Sequence, residues 1–79
     1  MLQQAEYQPI VMLRIKQVVE RTGLSRSTIY SKIDPKSAHY DPSFPRQVRL
    51  GNGAVAWVEA EIDDWLRKCI QHREIEMNK

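Results

Sequence analysis

VVERTGLSRSTIYSKI, residues 18–33, decides the fold of this chain, because it encodes two short helices separated by a tight turn. Gly23 lies where the backbone needs a positive φ angle, which glycine adopts at little cost. Ser25 follows as an N-cap, since its hydroxyl can accept a hydrogen bond from an unpaired amide of the next turn. The second helix must end by Asp34, because the residue before a proline avoids the helical conformation.

The second helix of this pair has two different faces. At about 100° per residue, Ile29 and Ile33 share one face, whereas Ser27 and Ser31 lie on the opposite one. The residues around the second face are Arg26, Thr28 and Tyr30. We expect the first face to pack on the core and the second to contact a partner.

The chain has 79 residues, which suits one small domain near the lower limit for a core without disulfides or metal. Its single cysteine, Cys69, excludes an intramolecular disulfide, and apolar neighbours favour a buried, reduced thiol in a cytosolic protein. No stretch is long and apolar enough to cross a bilayer, and the N-terminus lacks the pattern of a secretory signal. We therefore predict a cytoplasmic protein with no membrane partner.

The distribution of charge is more informative than the net charge of +2. Residues 1–57 carry an excess of four positive charges, and residues 58–79 carry an excess of two negative charges. The basic part contains the two helices and the segment that follows them. A polyanion is therefore expected to approach this side of the molecule.

The segments that flank the two helices are less regular. Residues 1–9 are polar without a period, and we expect a flexible N-terminal arm there. Ile10–Leu13 is a short apolar run with two interpretations: an edge strand, or an apolar lead-in that packs under the first helix. Asp34–Arg46 contains three prolines, so neither a helix nor a paired strand can run through it.

The long loop 34–46 has its own candidate residues. Its length is above that of the usual connection, which favours a role beyond linking, and we expect Tyr40 or Phe44 to attach it to the core. A purely structural role is one interpretation. In the other, Lys36 and His39 contact a partner.

A β-hairpin is predicted after this loop. Gln47–Leu50 and Ala54–Val58 are two short β-like runs, and Gly51-Asn52-Gly53 between them tolerates the positive φ angles of a tight turn. Val48 and Leu50 share one face, and Val55 and Trp57 share a face across the turn. We expect the hairpin to bury its apolar face and to present three polar side chains outward: Arg46, Arg49 and Asn52.

The chain ends with an amphipathic helix that starts at Glu59. Its apolar positions follow the spacing i, i+3, i+4, i+7 and i+8: Ile62, Trp65, Leu66, Cys69 and Ile70. Acidic residues near the start and basic residues toward the end suit the helix dipole, and the spacing also predicts the pairs Asp63–Arg67 and Asp64–Lys68. The apolar stripe stops at Ile70, so we expect a domain over residues 10–73 and a frayed tail over residues 74–79.

The sequence lacks the patterns of a catalytic or metal site. It has no glycine-rich phosphate loop, no Cys–His ligand spacing and no local Ser–His–acid set. The acidic residues at the start of the last helix lie where a helix favours negative charge. We predict that the protein is not an enzyme and holds neither a metal nor a cofactor.

The order of elements predicts a winged helix-turn-helix, mainly α with a small β-hairpin. In such a fold the second helix enters the major groove of DNA, and basic side chains of the hairpin contact phosphates or the minor groove. Arg26 is suited to bidentate contact with guanine, and Tyr30 to stacking on a sugar or donating to a phosphate. The hydroxyls expected at bases or phosphates are those of Ser27, Thr28 and Ser31. The side chains expected to hold the backbone are Lys32, Arg46, Arg49 and Asn52. Each also has a structural interpretation, since serine and threonine are common on solvated faces and Tyr30 can be half buried.

Two stretches, LRIKQVVERTGLSRSTIYSKI (13–33) and DPSFPRQVRLGNGAVAWVEAEIDDWL (41–66), resemble the AlpA family of prophage regulators. These are small MerR-like winged-helix proteins related to phage excisionases, and the resemblance covers residues 13–73. It implies a transcriptional regulator of prophage or integrative-element genes, which in some members also directs an integrase toward excision. It also implies that the recognition helix is Arg26–Lys32 and that the wing tip is Gly51–Gly53.

These patterns lead to one main hypothesis and one alternative. The main hypothesis is a monomeric winged helix-turn-helix that binds double-stranded DNA at specific sites. The alternative is a protein-interaction module that inhibits a regulator or an integrase by docking, with the long loop and the last helix as its contact surface.

Overall fold

Three helices and three strands make up the computed structural model, which describes the backbone of residues 9–77 and the side chains of residues 9–73. The elements are, in chain order, β1 (Met12–Leu13), α1 (Ile15–Thr22), α2 (Arg26–Ile33), β2 (Val48–Gly51), β3 (Ala54–Val58) and α3 (Glu59–Met77). This order confirms the winged helix-turn-helix, with the wing formed by β2, β3 and the turn between them. Of the predicted N-terminal arm, residues 1–8 lie outside the described residues.

The turn between α1 and α2 forms as its sequence predicts. Gly23 has a φ of 77°, and its N–H donates to the Val19 carbonyl at 2.9 Å. Ser25 caps α2, since its Oγ accepts from the Thr28 N–H at 3.1 Å. The last helical residue is Ile33, which confirms the end of the helix before Asp34.

The three strands form an antiparallel sheet in the order β1-β3-β2. Met12 is opposite Val58 and Leu13 is opposite Trp57. The run that begins at Ile10 therefore contains an edge strand of two residues. Leu13 is also buried in the core, so the strand ties the sheet to the helices.

The core lies between the sheet and all three helices. Its buried members are Leu13, Val18, Ile29, Phe44, Trp57 and Ile62. Trp57 is fully buried, whereas Trp65 is only partly buried against the cluster. The fully buried tryptophan is therefore on the hairpin, whereas the tryptophan of the α3 stripe is only partly buried.

The long loop is attached to the core by Phe44, one of the two residues predicted for this purpose. Phe44 is buried, and its ring meets the Trp65 ring edge-on with centroids 4.8 Å apart. Tyr40 remains 38% exposed. The loop is therefore held mainly at its C-terminal end, where it leads into the wing.

The wing differs from the prediction in that none of the residues of β2 is buried. We expected Val48 and Leu50 to be buried, but they are 37% and 52% exposed. Val48 is opposite Ala56 and Arg49 is opposite Val55. Because cross-strand partners share a face, Arg49 lies on the same face as Val55 and, two residues on, the buried Trp57. The register of pairing decided this, and hydrophobicity along one strand does not reveal it.

Helix α3 also departs from the prediction. Cys69 is exposed and Ile70 is 52% exposed, so the expected burial of the thiol was wrong. Ile62, Trp65 and Leu66 contact the core, and α3 continues to Met77. Its 19 residues span about 28 Å, so its second half extends past the core that the first half covers. Within residues 9–77, no helix is both long and apolar enough to cross a membrane.

Candidate nucleic-acid interface

The outer face of α2 borders a shallow groove on the protein surface. It is lined by Ser25, Arg26, Ser27, Tyr30, Ser31 and Asp34. Ile29, on the opposite face, is fully buried, and Ile33 packs against the core. The helix therefore has the two faces that its sequence predicts, one packed and one open.

Thr28 is exposed but already takes part in the helix cap. The Ser25 hydroxyl donates to Thr28 Oγ1 at 2.9 Å while it accepts from the Thr28 backbone N–H. Arg26 and Ser27 are also exposed at this first turn. The beginning of α2 thus combines a fixed backbone with side chains that face solvent.

Tyr30 has one side against the core and one side in solvent. Its ring meets the Trp57 ring edge-on, with centroids 6.2 Å apart, and the residue is 38% exposed. Trp57 belongs to the wing strand β3, so this aromatic pair joins α2 to the wing. The contact fixes the position of the wing relative to the outer face of α2.

Lys32, which the sequence assigned to the DNA backbone, is engaged within the protein. Its Nζ lies 3.8 Å from Asp41 Oδ2 and 5.7 Å from the centroid of the Trp65 ring. The Asp41 N–H also donates to the Lys32 carbonyl at 2.8 Å. Lys32 therefore links the end of α2 to the long loop and to α3.

The carboxylate of Asp41 also forms hydrogen bonds within the long loop. It accepts from the Ser43 hydroxyl at 2.6 Å and from the Ser43 N–H at 2.9 Å. The hydroxyl contact is the main reason that the pKa of Asp41 is lowered, and the Ser43 amide and Lys32 lower it further. Partial burial opposes these effects without cancelling them.

The ion pairs of Arg21 were not predicted from the sequence. Its guanidinium binds Glu59 at 2.5 Å and Asp63 at 2.7 Å, which joins α1 to α3 and raises the pKa of Arg21. We had paired Asp63 with Arg67; the predicted pair Asp64–Lys68 is present at 3.3 Å. Local sequence carries no signal for a pair 42 residues apart. Part of the positive charge of residues 1–57 is therefore neutralised by acidic residues of α3.

The wing brings together two of its three predicted residues. Arg49 and Asn52 line one groove at the tip, together with Gln47, Gly51, Gly53 and Val55. Asn52 has a φ of 48° and the flanking Gly51 and Gly53 have 114° and 80°, as the hairpin turn requires. Arg46 lies in a different groove, beside Phe44, Trp65 and the acidic start of α3.

The nine predicted residues thus fall into three groups. Four line the groove on α2: Arg26, Ser27, Tyr30 and Ser31. Two lie at the wing tip: Arg49 and Asn52. The other three, Thr28, Lys32 and Arg46, belong to the cap, to the loop contact and to the junction with α3.

The described side chains do not assemble any metal site or buried polar centre. No three histidine, cysteine, aspartate or glutamate side chains of residues 9–73 come together with the geometry of a metal site. No charged or polar residue in this range is buried. The candidate interface is therefore an open surface of exposed side chains.

Comparisons with known proteins agree with this architecture. The family model described as prophage CP4-57 regulatory protein (AlpA) matches residues 11–70. The DNA-binding transcriptional activator AlpA of Escherichia coli K12 is 49% identical over 59 residues, which cover 73% of this chain and 84% of that protein. The uncharacterized protein ORF88 of Enterobacteria phage P4 is 41% identical over 61 residues, which cover 77% of this chain and 62% of that protein. No solved structure matches significantly.

Proposed function

Since this chain belongs to the AlpA family of prophage regulatory proteins, we propose that it is a DNA-binding transcriptional regulator of prophage or integrative-element genes. The observation that carries the proposal is the pairing of an open polar face on α2 with an arginine-bearing wing. The Tyr30–Trp57 contact holds these two surfaces in a fixed relation. The E. coli relative, which is named a DNA-binding transcriptional activator, supports the same function.

In the proposed complex, α2 enters the major groove of duplex DNA with its N-terminal turn first. Arg26 makes a bidentate contact with guanine, because its guanidinium matches the O6 and N7 acceptors of that base. Ser27 and Ser31 bond to bases or phosphates from the same groove of the protein surface. Thr28 has a smaller role, since its hydroxyl already accepts from Ser25.

The backbone contacts come from the wing and from Tyr30. Arg49 and Asn52 bind phosphates beside the minor groove, because both lie in the groove of the wing tip. Tyr30 donates its hydroxyl to a phosphate while Trp57 holds its ring. Lys32 and Arg46 act mainly within the protein, since Lys32 binds Asp41 and Arg46 lies beside the acidic start of α3.

A second candidate function is docking to another protein, such as a regulator or an integrase. The observation in its favour is the exposed second half of α3, where Cys69 and Ile70 face solvent. Control of excision, implied by the resemblance to excisionases, would use the same DNA-binding surface at a different site. DNA binding remains the primary proposal, because the α2 groove and the wing tip both carry side chains suited to it, whereas docking rests on the exposed half of α3 alone.

The test is selection of duplexes from a randomised library by the full chain, followed by anisotropy titrations of the selected duplex at several salt concentrations. We expect log K to fall by about 0.9 per phosphate neutralised for each tenfold increase in salt. Arg26→Ala should weaken binding by roughly 1–3 kcal/mol and relax the preference at one base pair. Arg73→Ala is the matched control, since Arg73 is an exposed cation on the far half of α3.

Recovery of no sequence above background, or affinity that does not depend on salt, would contradict the DNA-binding proposal. Equal losses in Arg26→Ala and Arg73→Ala would place the interface elsewhere. Binding of a partner protein that is lost in Ile70→Asp, together with absent DNA binding, would support the docking function instead.

A further inference from the structure

Leu50 is an exposed apolar residue that neither the core nor the proposed polar contacts use. It is 52% exposed and lies on the wing directly before the tip. Leu50 has no partner in the pairing of β2 with β3, since Arg49 is opposite Val55 and the next pair is Gly51 with Ala54. Leu50 is therefore the bulged residue of β2, and bulges redirect a side chain away from the ladder.

The tip beyond Leu50 carries little side-chain bulk. Gly51 and Gly53 have positive φ angles, and a Cβ added to either would meet no atom within 4 Å. Only Asn52 carries a side chain between them. The tip therefore brings little side-chain bulk to a minor groove, which is about 6 Å wide in B-DNA.

The charge of this region favours DNA over a protein partner. Residues 42–58 contain Arg46 and Arg49 and no acidic residue. Arg49 immediately precedes Leu50, so a cation and an exposed apolar side chain are neighbours on the same strand of the wing. Proteins that bend DNA from the minor groove combine these two features: arginines on the backbone and an apolar wedge between base pairs.

We propose that Leu50 enters the minor groove and inserts partly between two base pairs, which kinks the duplex at that step. The inference rests on the proposed function, because it requires α2 to hold the adjacent major groove. Arg49 binds the phosphates beside the step. The preferred step is a pyrimidine–purine step such as TA or CA, because these unstack at low cost.

The experiment uses the full chain and the duplex selected with it. 2-Aminopurine replaces each adenine of the duplex in turn, and its fluorescence reports unstacking; circularly permuted fragments report the bend by gel mobility. For the parent chain we expect a fluorescence rise at one step beneath the wing and a bend centred there. Leu50→Ala should abolish both signals and weaken binding about tenfold, and Leu50→Met should retain them.

Val48→Ala is the matched control. Val48 is an exposed apolar residue on the same strand, 37% exposed, but it is paired with Ala56. It should bind and bend like the parent chain. Thermal melts of all variants should lie close together, since neither Leu50 nor Val48 belongs to the buried core.

The outcomes separate this inference from the proposed function. If the parent chain binds a specific duplex but leaves it straight and stacked, or if Leu50→Ala bends it as the parent does, the wedge is refuted and DNA binding stands. If the parent chain selects no duplex at all, both are refuted. Loss of self-association in Leu50→Ala with unchanged DNA bending would identify a protein contact and overturn the wedge.

Discussion

Arg21 Nη1 lies 2.7 Å from Asp63 Oδ1, and the same guanidinium binds Glu59, so one side chain of α1 holds the first two turns of α3. Helix α3 follows the wing directly, since β3 ends at Val58 and α3 begins at Glu59. These contacts therefore tie the helix that follows the wing to α1. The partners are about one third exposed, so salt screens the contacts in part.

Arg21→Gln should lower the melting temperature at low ionic strength, and the difference from the parent should shrink as salt is added. The carboxylate contacts also raise the pKa of Arg21. Melts in 20 mM and 1 M sodium chloride measure the effect. Lys68→Gln, which breaks only the exposed pair with Asp64, is the control and should change little. A salt-independent loss of stability would show that packing of the arginine stem matters more than its charge.

Trp57→Ala should destabilise the domain by about 3–5 kcal/mol, because it empties the centre of the core. Trp65→Ala should cost less, since Trp65 is only partly buried. Urea unfolding followed by circular dichroism measures both. The prediction fails if the two variants unfold at the same urea concentration.

Trp57→Phe should be tolerated far better than Trp57→Ala. Among the described residues, the indole Nε1 of Trp57 is buried without a hydrogen-bond partner. Phenylalanine removes that unpaired donor, and this gain of roughly 1–3 kcal/mol offsets part of the lost volume. The same unfolding curves test it. A Trp57→Phe variant as unstable as Trp57→Ala would mean that the indole volume alone decides stability at this position.

The domain should lose stability at acid pH, because protonation of Asp41 weakens the contacts of the long loop. The folded pKa of Asp41 is lowered, chiefly by the Ser43 hydroxyl, so the contribution of Asp41 is complete above the ordinary aspartate pKa of about 3.9. That contribution disappears as pH falls through the lowered folded pKa. In Ser43→Ala the pKa of Asp41, measured by NMR titration, should rise toward its ordinary value. The neutral-pH stability of Ser43→Ala should also fall below that of the parent, and the two curves should converge at low pH.

An unchanged Asp41 titration in Ser43→Ala would show that the Ser43 hydroxyl does not set this pKa. Lys36→Ala serves as a control, because its side chain is exposed and the Lys36 N–H binds Asp34 instead.

Arg49→Ala and Lys32→Ala should affect DNA binding in different ways. Arg49 is on the wing tip and is proposed to contact one phosphate, so its loss should reduce the slope of log K against log salt by about 0.9. Lys32 already binds Asp41 and faces Trp65, so Lys32→Ala should lower thermal stability and leave the slope unchanged. Titrations at four salt concentrations and melts of both variants distinguish them. A reduced slope in Lys32→Ala would restore this lysine to the DNA interface.

Much of the candidate interface was predictable because it depends on neighbours along the chain. The Ser25 cap, the positive φ of Gly23 and the burial of Ile29 each follow from residues within one helical turn. The turn of the wing follows equally from Gly51-Asn52-Gly53. The residues expected to face outward on α2 accordingly lie together in one surface groove.

The errors have a common physical origin in contacts between distant segments. Hydrophobicity along β2 predicted a buried Leu50, but the register and the bulge leave it in solvent. The apolar stripe of α3 predicted a buried Cys69, but the core extends only as far as Leu66. The ion pair between Lys32 and Asp41 was not predicted, because nothing near Lys32 in sequence reveals that the loop folds back onto it.

The sequence by itself determined the order of elements, the helix boundaries at Ser25 and Ile33, the hairpin turn and the family. These depend on local backbone preferences and on short motifs, which need no knowledge of the folded chain. Tertiary structure decided that Trp57 is the central tryptophan, that Arg49 shares a face with it, and that Arg21 binds α3. Strand register, burial and ion pairs across 42 residues exist only after the chain has folded, because they depend on which surfaces meet.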